Sequence, residues 1–202
     1  MHPFDQSRYQ VRLEHGADGL SRLAASDIVI VVDVLRFSTT VTDAVARGEA
    51  VPWDDAESVN GAPVSRAAAA DGSLVLLGCL RNASAVAAAA LAEQVRRGAR
   101  TSIAVIAGGE AGRFAAEDEL GAGAIVDALA ALGLDHSSPE AAVACEAFRG
   151  LRGAVRHLLT ASGSGQELIE RGLRDDVLNA SAIDATDAVP LLRDGVFTRF
   201  GL

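Results

Sequence analysis

Three segments of the chain are largely apolar and rich in β-branched residues. Such runs are typical of strands that are buried on both faces of a sheet, because a strand exposed on one face alternates apolar and polar positions. The three segments are 27–35 (DIVIVVDVL), 73–78 (SLVLLG) and 101–109 (TSIAVIAGG). We therefore predict three core strands, with the first as part of a parallel sheet.

Weaker strand patterns surround this core. Residues 9–16 (YQVRLEHG) alternate, and residues 49–53 (EAVPW) form a short apolar stretch. The tail 188–200 (AVPLLRDGVFTRF) predicts two short strands around a turn. Because proline lacks the amide hydrogen that a central strand needs, Pro190 places this pair at a sheet edge.

Helical patterns fill the segments between the strands. Ser38 or Thr39 could cap a helix that runs to about Arg47, and Ser138 with Pro139 is a favourable start for a long helix. The further helical segments are 19–26, 64–70, 82–98, 115–132, 138–162 and 165–173. Alternating strands and helices predict a three-layer α/β/α fold with a mixed, mostly parallel sheet, as a single domain over residues 1–202.

The composition indicates in which compartment the protein is located. Half of the 202 residues are apolar, yet no uninterrupted apolar run reaches the roughly 18 residues that a membrane span requires. The first residues lack the apolar core of a secretory signal, and the two cysteines, Cys79 and Cys145, are typical of reduced thiols. We expect a cytoplasmic protein without a membrane segment.

The charged residues exclude several classes of function. The net charge is -9, and the sequence contains arginine but no lysine. Phosphate-binding Walker loops and Schiff-base enzymes both need a lysine, so neither class fits. Nucleic-acid binding is not expected either, because phosphate backbones attract clustered cations and this chain is acidic.

Polar loops follow the three core strands. They cover residues 33–40, 79–84 and 108–119, and each precedes a predicted helix. In open α/β sheets the binding crevice lies beyond the carboxyl ends of the strands, and the free amides at helix starts favour anions. These loops are therefore the expected location of a binding site.

The side chains in these loops suit a cation and an anion together. Carboxylates are the oxygen ligands that Mg²⁺ prefers, and guanidinium groups bind phosphate or carboxylate as planar forks. The acids are Asp33, Glu110, Glu117, Asp118 and Glu119, and the arginines are Arg36, Arg81 and Arg113. This combination is typical of Mg²⁺-assisted phosphate-ester chemistry.

Structural roles for the same residues stay open. Asp33 could cap a turn, and the hydroxyls of residues 38–40 could cap a helix. The acids at 117–119 would favour the start of a helix even without a ligand. Several enzyme classes do not fit: a haloacid-dehalogenase phosphatase needs a second acid where Leu35 stands, and a cysteine phosphatase needs an arginine where Ala85 and Leu151 stand.

Three ordered segments of the chain resemble the 2-phosphosulfolactate phosphatase family. They are VVDVLRFSTTVTDAVARGEAVPW, VNGAPVSRAAAADGSLVLLGCLRNASAVA and VIAGGEAGRFAAEDELGAGAIVDAL, followed by a tail that ends DATDAVPLLRDGVF. Members are Mg²⁺-dependent phosphatases associated with coenzyme M biosynthesis. The resemblance extends from about residue 25 to 197 and implies an α/β/α protein with an acidic Mg²⁺ site.

On this resemblance we expect hydrolysis of a small acidic phosphate monoester, such as 2-phosphosulfolactate, with Mg²⁺ as cofactor. The expected metal ligands are Asp33, Glu110, Glu117 and Asp118. Asp33, Arg36 and Arg113 are the expected catalytic residues. Hydrogen bonds to the substrate are expected from Ser38, Thr39, Thr40, Asn60 and Asn82. Attack by water and attack through an aspartyl-phosphate both stay open.

One departure from the family pattern suggests an alternative function. Family members carry some dozens of residues, including a Gly-Glu-Arg-rich loop, where only a few residues here join Trp53 to Asn60. A non-catalytic ligand-binding paralogue is therefore the alternative, and a broader hydrolase or lyase acting on anionic substrates is a third. Close packing of the alanine-rich helix 83–97 would permit a homodimer.

Overall fold

The computed structural model describes residues 2–54, 58, 60–110 and 113–201. Most of the shortened segment between Trp53 and Asn60 lies outside the described residues, so the prediction of a missing loop is not tested. The described strands are β1 (Val11–His15), β2 (Ile28–Val32), β3 (Val51–Pro52), β4 (Leu74–Gly78), β5 (Ile103–Ala107), β6 (Pro190–Arg193) and β7 (Val196–Arg199).

Helices connect the strands and complete the chain. The α-helices are α1 (Gly16–Arg22), α2 (Phe37–Ala46), α3 (Gly61–Ala70), α4 (Ala83–Arg97), α5 (Ala116–Ala131), α6 (Pro139–Leu151), α7 (Val155–Ala161), α8 (Gly163–Glu170) and α9 (Arg174–Ala180). Short 3-10 helices cover Pro3–Asp5, Leu80–Asn82 and Arg152–Ala154. None of the helices in the described ranges is long and apolar enough to cross a membrane.

The strands of the described chain form one mixed sheet in the order β1-β5-β2-β4-β6-β7-β3. The pairs β1–β5, β5–β2 and β2–β4 are parallel, whereas β4–β6, β6–β7 and β7–β3 are antiparallel. The prediction of a mixed sheet is therefore confirmed. The parallel pairs join β1, β5, β2 and β4, and the antiparallel pairs join β4, β6, β7 and β3.

Strand β2 shows why its sequence is apolar at every position. Ile28, Ile30 and Val32 pack into the core that contains α4 to α7, while Val29 and Val31 pack into the core that contains α1, α2 and α3. Successive side chains of a strand point to opposite faces, so a strand covered by helices on both faces must be apolar throughout. The three-layer α/β/α prediction is confirmed.

Two sequence-based element predictions are wrong. The long helix predicted over 138–162 is interrupted by the 3-10 turn Arg152–Ala154, which contains Gly153 and closely follows Gly150. Strand β6 is not at an edge, because it lies between β4 and β7. Pro190 is tolerated there because the pairing with β4 begins only at the next residue, Leu191.

Helix α2 begins differently from the prediction. Its first residue is Phe37, and neither Ser38 nor Thr39 provides the cap. Instead, the carboxylate of Asp33 accepts the amide hydrogen of Phe37 at 3.3 Å, and the Asp33 carbonyl accepts that of Ser38 at 2.8 Å. The strand end thus caps the following helix, which holds Asp33 in a fixed position.

Candidate active site

A cleft of about 280 Å³ opens beyond the carboxyl ends of β2 and β5. These two strands are neighbours in the sheet, so the residues that follow them lie side by side. The described residues that line the cleft are Asp33, Leu35, Arg36, Phe37, Ser58, Asn60, Glu110, Ser164, Glu167, Leu168 and Arg171. The cleft thus lies at the carboxyl ends of the strands, where the sequence predicted a binding site.

Asp33 forms the buried floor of this cleft. Only 6% of the residue is exposed. Its Oδ1 accepts the Phe37 amide, and its Oδ2 accepts the Gly61 amide at 3.1 Å and the Ser58 hydroxyl at 3.2 Å. The first turns of α2 and α3 therefore both direct amides at one carboxylate, an arrangement that favours negative charge.

Burial has the opposite effect on this carboxylate. Removal from water raises the pKa of Asp33 to about 6, and the charge of Glu110 adds to the rise, while hydrogen bonds from Phe37, Gly61 and Ser58 lower it. The site thus concentrates negative charge at some energetic cost. A positively charged ligand beside Asp33 would relieve that cost.

Ser58 was missed by the sequence predictions. Its Oγ donates to Asp33 and accepts amide hydrogens from Asn60, Gly61 and Ala62, at 3.2, 2.8 and 3.3 Å. A serine oxygen that accepts from the first amides of a helix is a typical cap. The available signal was the serine shortly before the glycine at which α3 begins.

Glu110 stands beside Asp33 on the loop after β5. Its Oε2 accepts a hydrogen bond from Nδ2 of Asn60 at 3.1 Å. The Glu110 and Arg113 backbones exchange two hydrogen bonds, of 3.0 and 2.8 Å, which hold these two residues together. The predicted pairing of Asp33 and Glu110 at one cleft is therefore present, with Asn60 attached to it.

Arg36 lines the same cleft and carries one of its positive charges. Its Nη1 lies 2.9 Å from Oδ2 of Asp176 on α9, and both side chains are partly exposed. Arg36 also borders a second cavity of about 180 Å³, which Thr39 and Thr40 line as well. The two predicted threonines thus lie behind Arg36, away from Asp33 and Glu110.

Asp118 lies behind the cleft and is fully enclosed. Its Oδ1 accepts the Val34 amide at 2.7 Å and its Oδ2 accepts the Gly109 amide at 2.8 Å. Burial raises the pKa of Asp118 well above its ordinary value, and the charges of Asp33 and Glu117 add to the rise. Asp118 thus joins the ends of β2 and β5, and both of its oxygens are engaged by backbone amides.

Other predicted site residues serve the framework. The Ser38 hydroxyl donates to the Val31 carbonyl and accepts the Asp33 amide, both at 3.0 Å. Asn82 is fully buried and does not line the cleft. Arg81 pairs with Asp43 at 2.9 Å and so ties α2 to the residues before α4.

Glu117 and Arg113 are placed differently from each other. Glu117 is buried in the first turn of α5, while Arg113 is exposed. Neither belongs to the described lining of the cleft. Their predicted roles as metal ligand and catalytic residue stay predictions.

The wall formed by α8 was not predicted at all. Ser164, Glu167, Leu168 and Arg171 line the cleft from a segment far along the chain. The sequence carried only a weak signal, since the predicted helix over 165–173 gave no indication of the strand end that it would face. Tertiary packing alone brings it to Asp33.

The donor set fits Mg²⁺ in a limited way. No three acidic, histidine or cysteine side chains within the described ranges come together as a metal-holding group. Mg²⁺ in phosphoryl-transfer sites is bound by one or two carboxylates, with phosphate and water oxygens completing its shell. Asp33 and Glu110 are suited to that arrangement, because both line the cleft and such a Mg²⁺ site requires no third carboxylate.

Comparisons with known proteins agree with this picture. A model of the family described as 2-phosphosulpholactate phosphatase matches residues 56–195. The chain is 34% identical to the protein named "Probable 2-phosphosulfolactate phosphatase" of Deinococcus radiodurans over 138 residues, which are 68% of this chain and 55% of that protein. Its identity to the protein of the same name from Gloeobacter violaceus is 33% over 117 residues, 55% of this chain and 48% of that protein.

The chain therefore spans about half the length of these curated relatives. The family match includes Asn60, Glu110, Asp118 and Arg171 and ends within the last hairpin, while Asp33 precedes it. Because the match covers more than half of the chain, the resemblance seen in the sequence is confirmed: the chain belongs to the 2-phosphosulpholactate phosphatase family.

Proposed function

We propose that the protein is a Mg²⁺-dependent phosphatase of small acidic phosphate monoesters, with 2-phosphosulfolactate as the leading candidate substrate. The observation that carries the proposal is the pairing of Asp33 and Glu110 in one cleft at adjacent strand ends. Family membership and the names of the two relatives support phosphate-ester hydrolysis as the reaction class. A place in coenzyme M biosynthesis belongs to the same proposal.

The residues of the cleft have complementary roles in this proposal. Asp33 and Glu110 would hold the cation, and Asn60 orients Glu110 through its 3.1 Å hydrogen bond. When bound, Mg²⁺ would neutralise phosphate charge and acidify a water or polarise the ester bond. Arg36 would bind phosphate oxygens from the edge of the cleft, where its partner Asp176 limits its movement.

The framework around these groups keeps them in place before the substrate arrives. Asp33 is fixed by three hydrogen-bond donors, and Asp118 fixes the backbone on both sides of the cleft. Preorganised groups need no rearrangement as charge develops in the transition state. Asp118 would thus act by positioning in this proposal, while the ligand role expected for it and Glu117 is not needed.

The test is release of inorganic phosphate from 2-phosphosulfolactate, with Mg²⁺ and with a chelator. We expect turnover only with Mg²⁺, and a loss of about a hundredfold or more in kcat/KM for Asp33→Asn and for Glu110→Gln. Glu146→Gln is the control, since Glu146 is an exposed carboxylate on α6. Equal rates with and without Mg²⁺ would remove the metal from the proposal.

The alternative function is that of a non-catalytic paralogue that binds a ligand, and measurements on the same protein distinguish the two. Thermal stabilisation by Mg²⁺ with phosphate, in the absence of any turnover, would favour it. Location in the cytoplasm, a homodimer through helix α4 and the absence of a nucleic-acid partner stay predictions that this test does not address.

A further inference from the structure

One face of helix α8 forms a wall of the cleft. Ser164, Glu167 and Leu168 lie on α8, and Arg171 directly follows its last residue, Glu170. The last three are spaced from Ser164 by three, four and seven positions, which places all four on the same side of the helix and its end. Leu168 is 6% exposed and packs into the core with α7 and α9. This buried leucine fixes the orientation of α8, so the neighbouring Glu167 and Arg171 face the cleft.

Two arginines are present among the described residues that line this cleft, and their ion pairs with neighbouring acids differ in length and exposure. Arg36 forms an ion pair of 2.9 Å with Asp176. Arg171 pairs with Glu167 over 3.8 Å, and 59% and 70% of these two side chains are exposed. An exposed pair of that length contributes little free energy, so an anionic ligand can replace Glu167 at small cost.

The two strand-end carboxylates and Arg171 lie in different parts of the cleft, and Glu167 is the acid beside Arg171. The carboxylates of Asp33 and Glu110 lie at the strand ends, where a cation with a phosphate group would bind in the proposed function. Arg171 lies at the C-terminal end of α8, apart from the strand ends. A guanidinium group at that location can form two parallel hydrogen bonds with a carboxylate or sulfonate.

We propose that Arg171 is a specificity-determining residue, which binds the acidic group that the substrate carries in addition to its phosphate. Glu167 is the ion-pair partner of Arg171 in the empty protein, and the acidic group of the substrate replaces it on binding. A phosphate ester with a neutral end gains nothing from this exchange. The inference rests on the proposed phosphatase function and adds the residue that selects acidic substrates.

The first test compares two esters that differ in one charge, phosphoglycolate and ethyl phosphate. Arg171→Gln should lower kcat/KM for phosphoglycolate by about tenfold or more, through a raised KM, and leave ethyl phosphate within about twofold. Arg171→Lys should recover part of the loss, because it keeps the charge but not the planar fork. Arg156→Gln, at an exposed arginine of α7, is the matched control. Equal losses on both esters, or no loss on either, would overturn the inference.

A second test separates this inference from the proposed reaction. Binding of sulfoacetate, which has no ester to hydrolyse, is measured by calorimetry with the wild type and with Arg171→Gln. About tenfold weaker binding to the variant supports the role of Arg171 even if no phosphatase activity is found. Phosphatase activity with unchanged sulfoacetate binding would contradict the inference alone. A wild type that neither binds sulfoacetate nor releases phosphate would contradict both proposals.

Discussion

The carboxylate of Asp118 accepts the amide hydrogen of Val34 at 2.7 Å, and Val34 directly follows Asp33. The other oxygen of Asp118 accepts the Gly109 amide, which directly precedes Glu110. One buried side chain on α5 therefore fixes the backbone beside both carboxylates of the cleft. The spacing of Asp33 and Glu110 depends on a residue that does not line the cleft itself.

Replacing Asp118 with alanine would leave the Val34 and Gly109 amides buried without an acceptor. We expect the free energy of unfolding to fall by about 2–4 kcal/mol, because each buried amide loses its partner. Asp118→Asn keeps one acceptor oxygen and should cost about half as much. Urea unfolding of the three proteins measures these differences. An alanine variant as stable as the wild type would show that the two amides do not depend on Asp118.

Gly61→Ala tests how closely α3 approaches Asp33. A Cβ atom at Gly61 would clash with Cδ1 of Phe37 and lie 3.0 Å from Oδ2 of Asp33. We expect a loss of about 1–3 kcal/mol in the free energy of unfolding, because the helix or the ring must move. Any phosphatase activity should fall as well, since Asp33 would be displaced.

Gly150→Ala is the control for this substitution. Gly150 lies in α6, and a Cβ atom there would meet no atom within 4 Å. Because alanine favours helix more than glycine does, we expect a gain of about 0.5 kcal/mol. A Gly61 variant that behaves like the Gly150 variant would contradict the described contact between α3 and Asp33.

Apolar periodicity predicted the layers of this fold because it depends on near neighbours in the sequence. The runs in β2, β4 and β5 are buried on both sides, as their composition required. The position of Pro190 was predicted wrongly because the register between two strands cannot be read from neighbouring residues. Proline excludes one hydrogen bond, and the offset pairing of β6 with β4 needs no bond at that residue.

Reasoning from the residues alone predicted the candidate site where a residue follows a core strand. Asp33, Arg36 and Glu110 were found in this way, and the cleft contains all three. The family resemblance added Asn60, which also lines the cleft. Polar residues nearby could equally bond the backbone, and Ser38 and Asn82 do so. The α8 wall could not be predicted, because the contact of Arg171 with this cleft is set by the packing of Leu168 and not by any local pattern.

Asn82 illustrates a structural role that a stability measurement can separate from binding. Its Oδ1 accepts the Cys79 amide at 2.9 Å, and its Nδ2 donates to the carbonyls of Leu77 and Ala188 at 3.2 and 3.0 Å. We expect Asn82→Ala to lower the free energy of unfolding by about 2–3 kcal/mol. The KM of any phosphate ester should stay the same, and a raised KM with unchanged stability would instead support substrate binding by Asn82.

Glu93 provides a pH-dependent prediction far from the cleft. Hydrogen bonds from Arg96 and Arg97 lower the pKa of Glu93 to about 2, although burial opposes the shift. Arg97 also pairs with Asp27, just before β2, at 2.8 Å. Since the pKa is lower in the folded protein than the ordinary 4.5, the stabilisation is complete above pH 4.5 and is lost as pH falls toward 2.

Glu93→Gln should therefore reduce the free energy of unfolding by about 1–2 kcal/mol at pH 7, and the difference from the wild type should shrink below pH 4. Urea unfolding at pH 7 and at pH 3 measures both values. A difference that is the same at the two pH values would show that the charge of Glu93 is not responsible.

The most direct measurement of the central claim is a calorimetric titration of Mg²⁺ in the presence of phosphate, because it does not depend on turnover. We expect the wild type to bind, and binding to weaken by about tenfold or more in Asp33→Asn and in Glu110→Gln but not in Glu146→Gln. Equal Mg²⁺ affinity in all four proteins would show that the two carboxylates at the adjacent strand ends do not hold the metal.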